Sequence, residues 1–404
     1  MQEQRLRARA RRVLSRPYPE ILRGLDLDNA NYPWFFNHGR GAWLYDVDNR
    51  CYLDLAMGRG PNILGYGHPI IADALRRHAG NGIQTTLRHE AEVEVAEMLI
   101  EIIPCAEEAV FAKNGSDACT AAIQIARAAT GKEVILSSGF HGFHDWFVAS
   151  MPDIQGTPRV LREYIATFEL NDLARFDDLC EKYDGQIAGI IVEPVHRLIP
   201  DPGFLAHVRA RADKQGAVLI FDEVVTTIRM GLSGAQGLYG VTPDLACLGK
   251  AMANGYPLSG VVGKHEIMRC LDSTFFSMTY QADSLAFIVA RACINHAIRN
   301  RTPERLFDIG EKLRLAFNEV AADFDVPARA IGLAPRMDFD FSPIAHVSTA
   351  DQESIFLRAL GDQRVIPHLS VFVCETFDEN CLATARAAFE VGMQRIRSRI
   401  EETQ

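Results

Sequence analysis

Apolar residues along this chain follow two rhythms. Short unbroken runs, "AVFA" at 109–112, "EVILSS" at 133–138, "IAGIIVEP" at 187–194, "AVLIFDE" at 217–223, "LACLG" at 245–249 and "LSGVVG" at 258–263, have the length of strands. They lack the polar alternation of a half-solvated strand, so they predict a sheet covered on both faces. Between them, 117–129 and 203–215 place apolar residues at helical spacing. Strand alternating with helix predicts an α/β fold whose large domain, 51–295, is a mainly parallel α/β/α sandwich. Further on, 303–324 reads as a long amphipathic helix, strand-like pieces follow near 336–341 and 371–374, and a last helix covers 379–401. This predicts a smaller α+β domain over 296–404. In the N-terminal segment, 1–50, Val47-Asp48-Asn49-Arg50 reads as a turn between two strands that are expected to pack with the small domain.

Composition narrows the classes. The 404 residues are 48% hydrophobic and 23% charged, a globular profile, and 42 Lys plus Arg stand against 52 Asp plus Glu for a net charge of −10. Neither nucleic acid nor an anionic membrane is an expected partner. Nine cysteines, an odd number with no CxxC pair, predict buried thiols in a reducing compartment and neither a disulfide framework nor a metal site. No apolar run approaches the ~20 residues of a bilayer span, which makes the expected location cytoplasmic. The arginine-rich start, "RLRARARR", reads as a short solvated helix, and Glu3 opposes a transit peptide.

Ligands of open parallel sheets bind beyond the carboxyl ends of the strands, and there this chain is polar. After the first run come Gly115 and Ser116 at the start of a helix, a junction suited to an anion such as phosphate. After the second come Phe140 and His141, between two glycines. Glu193 closes the third run, and Asp222 with Glu223 closes the fourth. A carboxylate at the end of a fully apolar strand needs a cationic partner. Lys250 ends the fifth run among small and apolar neighbours, where desolvation favours Schiff-base chemistry. Phosphate cradle, aromatic face, carboxylate and amine together match what pyridoxal 5'-phosphate requires.

The segments "FDEVVTTIRMG" and "DLACLGKAMANGYPLSGVVG", with "PNILGYGHP", "KNGSDACTAAIQIAR", "FHG", "IIVEPV" and "SMTYQADSLA" in the same order, resemble the class III (ω-type) pyridoxal-phosphate aminotransferases. The nearest branch is that of glutamate semialdehyde aminomutase. The resemblance implies fold type I, with Lys250 forming the Schiff base and Asp222 serving the pyridine nitrogen. It places Phe140 on the ring face, gives the phosphate to Gly115 and Ser116, and puts Glu193 and His141 near the cofactor. It also implies a homodimer with active sites at the subunit interface, in which Thr279 contacts phosphate across subunits.

Departures bear on the substrate. His196-Arg197-Leu198 stand where gated relatives have Gln-Gly-Glu, and Arg59 stands where the aminomutase branch has an aromatic substrate wall. The implied activity is transfer of an amino group from an amine or amino-acid donor to a carbonyl acceptor such as a keto sugar or aldehyde. The alternatives are an intramolecular aminomutase and a non-catalytic binding protein that keeps the fold. Arg59 is the candidate substrate residue, gripping a carboxylate, a phosphate or sugar hydroxyls.

Overall fold

The computed structural model describes residues 2–17, 32–344 and 346–402. The chain divides into two compact units, 70–303 and the pair of segments 1–69 and 304–404.

Unit 70–303 is built on a seven-stranded sheet. Its order is Glu108–Ala112, Ser259–Gly263, Leu245–Leu248, Val218–Asp222, Ile187–Val192, Val134–Ser138, Ile165–Thr167. Ser259–Gly263 runs antiparallel to both neighbours and all other pairs are parallel. Five of the six unbroken apolar runs are fully buried strands, as their pattern requires, and the sixth, Glu108–Ala112 at the sheet edge, is half-buried over its first three residues. Side chains alternate between two cores. Leu136, Ile190, Leu219 and Phe221 pack with Phe176, Leu179, Phe204 and Val208 of helices Leu173–Lys182 and Phe204–Gln215. Ile135, Ile191, Val218 and Ile220 pack with Ala118, Ala122, Ile125 and Ala126 of helix Gly115–Thr130. Alanines on that helix face let it lie close to the sheet, which sets the depth of everything carried on its first turns.

The other unit moves one expected boundary. Cys51–Asp54, the strand after the Val47–Arg50 turn, lies in it as the hairpin reading expects, so the large unit begins past residue 51. The strand pairs antiparallel with Trp43–Asp46 and parallel with Val365–Ile366 in a four-stranded sheet. Asn49, at φ 60°, turns the hairpin, while Asp46 Oδ1 accepts from the Asp48 and Arg50 amides at 2.9 and 2.8 Å. A three-stranded sheet, Ala328–Leu333, Arg336–Phe341 and Ser370–Phe372, completes this unit's strands among the described residues. Its core is aromatic: Phe317 stacks on Phe339 at 4.0 Å and meets Phe356 and Phe389 edge-on. The arginine-rich start is the helix Gln2–Val13, and it is not merely solvated. Glu3 is buried and bonds Arg7 at 2.8 Å, and Arg7 and Arg11 lie over the Trp34 ring. Residues 18–31 of the segment 1–50 lie outside the described residues.

Candidate active site

The registers Ser138↔Val192, Val192↔Phe221 and Asp222↔Cys247 bring the carboxyl ends of the central strands level. Residues from four strand ends therefore converge on one edge of the sheet. A fifth arrives from Glu108–Ala112, whose Ala112 lies opposite Ser259.

That fifth segment enters helix Gly115–Thr130 through a closed turn. The Asn114 amide donates to Asp117 Oδ2 at 2.8 Å, and Asn114 O accepts from Ser259 Oγ at 2.7 Å. The first-turn amides of Gly115 and Ser116 have no partner inside the helix. Ser116 Oγ accepts from the Phe143 amide at 3.2 Å, which leaves its hydroxyl proton to be given elsewhere. Gly142, at φ 100°, makes this contact possible: a Cβ there would fall 2.1 Å from Ser116 Oγ.

Asp222 ends its strand 4% exposed. By the two-residue period of the strand it shares the face of Val218 and Ile220, under helix Gly115–Thr130. His141 Nδ1 donates to its Oδ2 at 2.8 Å, Cys119 Sγ donates to the same oxygen at 3.3 Å, and the Val224 amide donates to Oδ1 at 3.1 Å. The cation that the sequence required is thus His141. Burial works against its charge, but the bonds to Asp222 and Cys119 prevail and push its pKa up to about 10. The Cys119 thiol is held well above the ordinary range by its bond with Cys247, by burial and by the Asp222 charge, so it acts as a donor. His141 Nε2 is buried without a hydrogen-bond partner.

Glu193 joins this group through its charge. Burial and the Asp222 carboxylate raise its pKa, while His141, the Phe140 amide and Lys250 oppose the rise. The Phe140 amide donates to Glu193 Oε2 at 3.2 Å. The Phe140 ring is 61% exposed and touches Phe147 edge-on at 5.5 Å. Lys250 opens the short turn Lys250–Ala253 at φ 40° and is half-buried, unlike the fully buried residues on either side.

The structure therefore brings together Gly115, Ser116, Phe140, His141, Glu193, Asp222 and Lys250. Thr279 stands exposed in the turn before helix Ser284–Asn300, and no hydrogen bond joins it to them. Arg59 belongs to the other unit. Two features escaped the sequence reading. Cys119 lies one helical turn beyond Ser116 on the face that covers Asp222, a relation visible only once strand and helix are paired. The Lys113 ammonium reaches Asp283 at 3.1 Å and the Pro257 carbonyl at 3.2 Å, tying the strand end to the cap of helix Ser284–Asn300.

The aminotransferase class-III family model matches residues 26–380. The chain is similar to the 3-aminobutyryl-CoA aminotransferase of Cloacimonas acidaminovorans, 39% identical over 318 residues that cover 77% of this chain and 76% of that protein. It is also similar to the glutamate-1-semialdehyde 2,1-aminomutase of Roseiflexus castenholzii, 34% identical over 330 residues, with 77% and 76% covered. Among solved structures, the FumI protein of Sphingopyxis sp. MTA144 in its pyridoxal-phosphate form superposes with a TM-score of 0.92 at 25% identity, covering 100% of this chain and 98% of that one. The chain is a class-III aminotransferase, an enzyme of the pyridoxal-phosphate-dependent fold type I.

Proposed function

We propose that the strand-end cluster of residues 70–303 is the catalytic centre, and that it moves an amino group from an amine or amino-acid donor to a carbonyl acceptor. The family's cofactor, when bound, supplies an aldehyde to hold the amino group and an electron sink for bonds at the substrate's α-carbon. The residues present fit that group. First-turn amides of Gly115 and Ser116 suit a phosphate dianion, the exposed Phe140 ring suits the flat face of a pyridine, and Lys250 Nζ suits the aldehyde. The observation that carries the reading is Asp222. His141, Cys119 and the Val224 amide hold this carboxylate in one orientation at the end of an apolar strand, and a carboxylate fixed there suits a cationic ring nitrogen.

In this reading Lys250 Nζ accepts the proton that leaves the donor's α-carbon and later returns one to the product. His141 and Cys119 keep Asp222 oriented, and Glu193 lends negative potential beside Lys250. Thr279 contacts phosphate from a second copy of the chain. Phe275 and Tyr280, flanking it at 86% and 65% exposed, are the surface that a homodimer would cover. The acceptor is read as a keto sugar or an aldehyde, since His196, Arg197 and Leu198 replace the gate of related enzymes. All nine cysteines are free, which fits a reducing, cytoplasmic setting, and among the described residues no helix is long and apolar enough to cross a membrane.

Borohydride reduction of the yellow enzyme, followed by peptide mass spectrometry, tests the assignment. The pyridoxyl group is expected on Lys250, and its recovery on another lysine overturns the reading. An intramolecular aminomutase is the second reading, favoured by the similarity to the Roseiflexus enzyme. A mutase turns over with one substrate, whereas a transaminase stops after one half-reaction until an acceptor is added.

A further inference from the structure

The unit formed by 1–69 and 304–404 has a cavity of its own, of about 500 Å³. That is within the range of small-molecule sites. Among the described residues its walls are mostly apolar, with Trp34, Phe35, Phe36, Leu44 and Ile366 prominent. Phe36 is 67% exposed on its strand, which is costly for a phenylalanine unless something covers it.

The carboxylates and tyrosine hydroxyls in the wall are committed, and its one cation among the described residues is not. Asp46 accepts from two backbone amides and from the Tyr52 hydroxyl at 3.4 Å. Asp54 Oδ1 accepts from the Ala56 and Met57 amides at 2.8 and 3.1 Å, and its Oδ2 from the Tyr66 hydroxyl at 2.6 Å. Both carboxylates are sunk to 2–3% exposure, and both tyrosine protons are spent on them. Arg59 is that cation. It is exposed, it lines the cavity, and no hydrogen bond or ion pair among the described residues holds its guanidinium.

Its backbone is also held in an unusual way. Met57, Gly58, Arg59 and Gly60 have φ of 46°, 67°, 68° and 99°, four left-handed residues in a row. Two of them carry side chains, for which this region is unfavourable. The turn persists because it is pinned from several sides. The Arg59 amide donates to Ala56 O at 2.8 Å and Asn62 Nδ2 to Met57 O at 3.0 Å. A Cβ at Gly60 would fall 2.7 Å from the Phe372 ring. Strain maintained in this way, at a residue whose side chain is left uncommitted, points to use of that side chain.

We infer that this cavity binds an amphipathic monocarboxylate: an alkyl or aryl body lies against the aromatic wall and its carboxylate is taken by the Arg59 guanidinium. A planar five-donor cation matches a carboxylate bidentately, and no other cation lines the cavity among the described residues. The inference rests on the reading of Arg59 as a substrate residue and names the class of ligand it takes, and a binding test reads it apart from turnover at Lys250.

Calorimetry on the full-length, cofactor-loaded enzyme tests it with octanoate, octylamine and acetate as probes. Octanoate is expected to bind, and octylamine and acetate to bind far more weakly, because one lacks the anion and the other the body. Arg59→Gln should weaken octanoate about tenfold to a hundredfold, the usual range for losing a charge-assisted contact. Leu44→Trp should fill the cavity and abolish binding, with Ile366→Phe as a second filling variant should the first melt early. Equal octanoate affinity in Arg59→Gln, binding of octylamine as tight as that of octanoate, octanoate binding that survives a folded filling variant, or no octanoate binding at all would each overturn the inference.

Discussion

Asp222 and Glu223 are adjacent buried carboxylates at one strand end, and they do different work. Strand periodicity sends Asp222 to the face covered by helix Gly115–Thr130 and Glu223 to the opposite side. Glu223 is fully buried. Its Oε2 accepts from Thr226 Oγ1 and the Ala235 amide, both at 2.6 Å, and its Oε1 from the Gln236 amide at 3.3 Å. Every donor is neutral, and two of them are first-turn amides of helix Gly234–Tyr239. Burial raises its pKa, with these donors opposing. Asp222 has one charged donor, one thiol and one amide. Each carboxylate collects three donors, so counting hydrogen bonds does not separate them. What separates them is a donor that is itself ionised: a neutral set closes a knot, whereas the His141–Asp222 pair fixes a charge at the sheet edge where a ligand arrives.

The contrast breaks most visibly in a pair of amide substitutions. Asp222→Asn should lower the single-turnover rate by about 10²–10³-fold, the usual scale for removing an electrostatic contact to the reacting group, and it should also lower the melting temperature, because it leaves His141 buried without its counter-charge. Glu223→Gln turns an acceptor into a donor facing other donors. It should cost about 1–3 kcal/mol of stability while the folded fraction keeps most of its rate. Urea unfolding and stopped-flow absorbance on both variants decide the matter, and similar profiles for the two would erase the distinction.

The next test sharpens the charged half of the comparison. His141 sits above its ordinary 6.5, at about 10, so the folded chain binds its proton more tightly than the unfolded chain. Its contribution to stability is therefore complete below about pH 6.5 and fades as the pH climbs towards 10. His141→Asn should flatten that part of the decline in melting temperature. An unchanged slope would mean that the pair is not ionised as described.

These two tests also mark what the chain displays in one dimension. The central strands were legible because burial on both faces leaves unbroken apolar runs, and the chemistry was legible because polar residues punctuate their ends. Ile165–Thr167 was not, since a three-residue edge strand with a partly exposed pattern carries little signal. The hairpin around Val47–Arg50 was legible, but the boundary drawn at residue 51 was not, because the parallel partner of Cys51–Asp54, Val365–Ile366, lies far along the chain. At the site, Asp222 and Glu223 look alike in sequence because the partners that distinguish them come from 119, 141 and 226–236. Sequence neighbours name the residue types, and only the paired strands and their covering helix say which carboxylate meets a cation.

Cys119 supplies the smallest and most discriminating effect. Its thiol is a weak donor at 3.3 Å from Asp222 Oδ2, so its removal should cost about 0.5–1.5 kcal/mol, the range of an ordinary hydrogen bond. Read as a rate, that is about a twofold to tenfold slowing if the bond orients the carboxylate. Cys119→Ala removes the donor and leaves Oδ2 to His141 alone, whereas Cys119→Ser restores an O–H in nearly the same place. If orientation of Asp222 is the role, serine should recover most of the rate lost in alanine, and the pH dependence of the bound cofactor's absorbance should shift in Cys119→Ala and return in Cys119→Ser. If the thiol only fills space beside Cys247, with which it also bonds, both variants should lose stability to a similar extent and the absorbance profile should stay where it was. Recovery by serine of rate and absorbance together ties the thiol to the Asp222 side of the sheet, and its failure leaves His141 as the one side chain that sets Asp222 apart from Glu223.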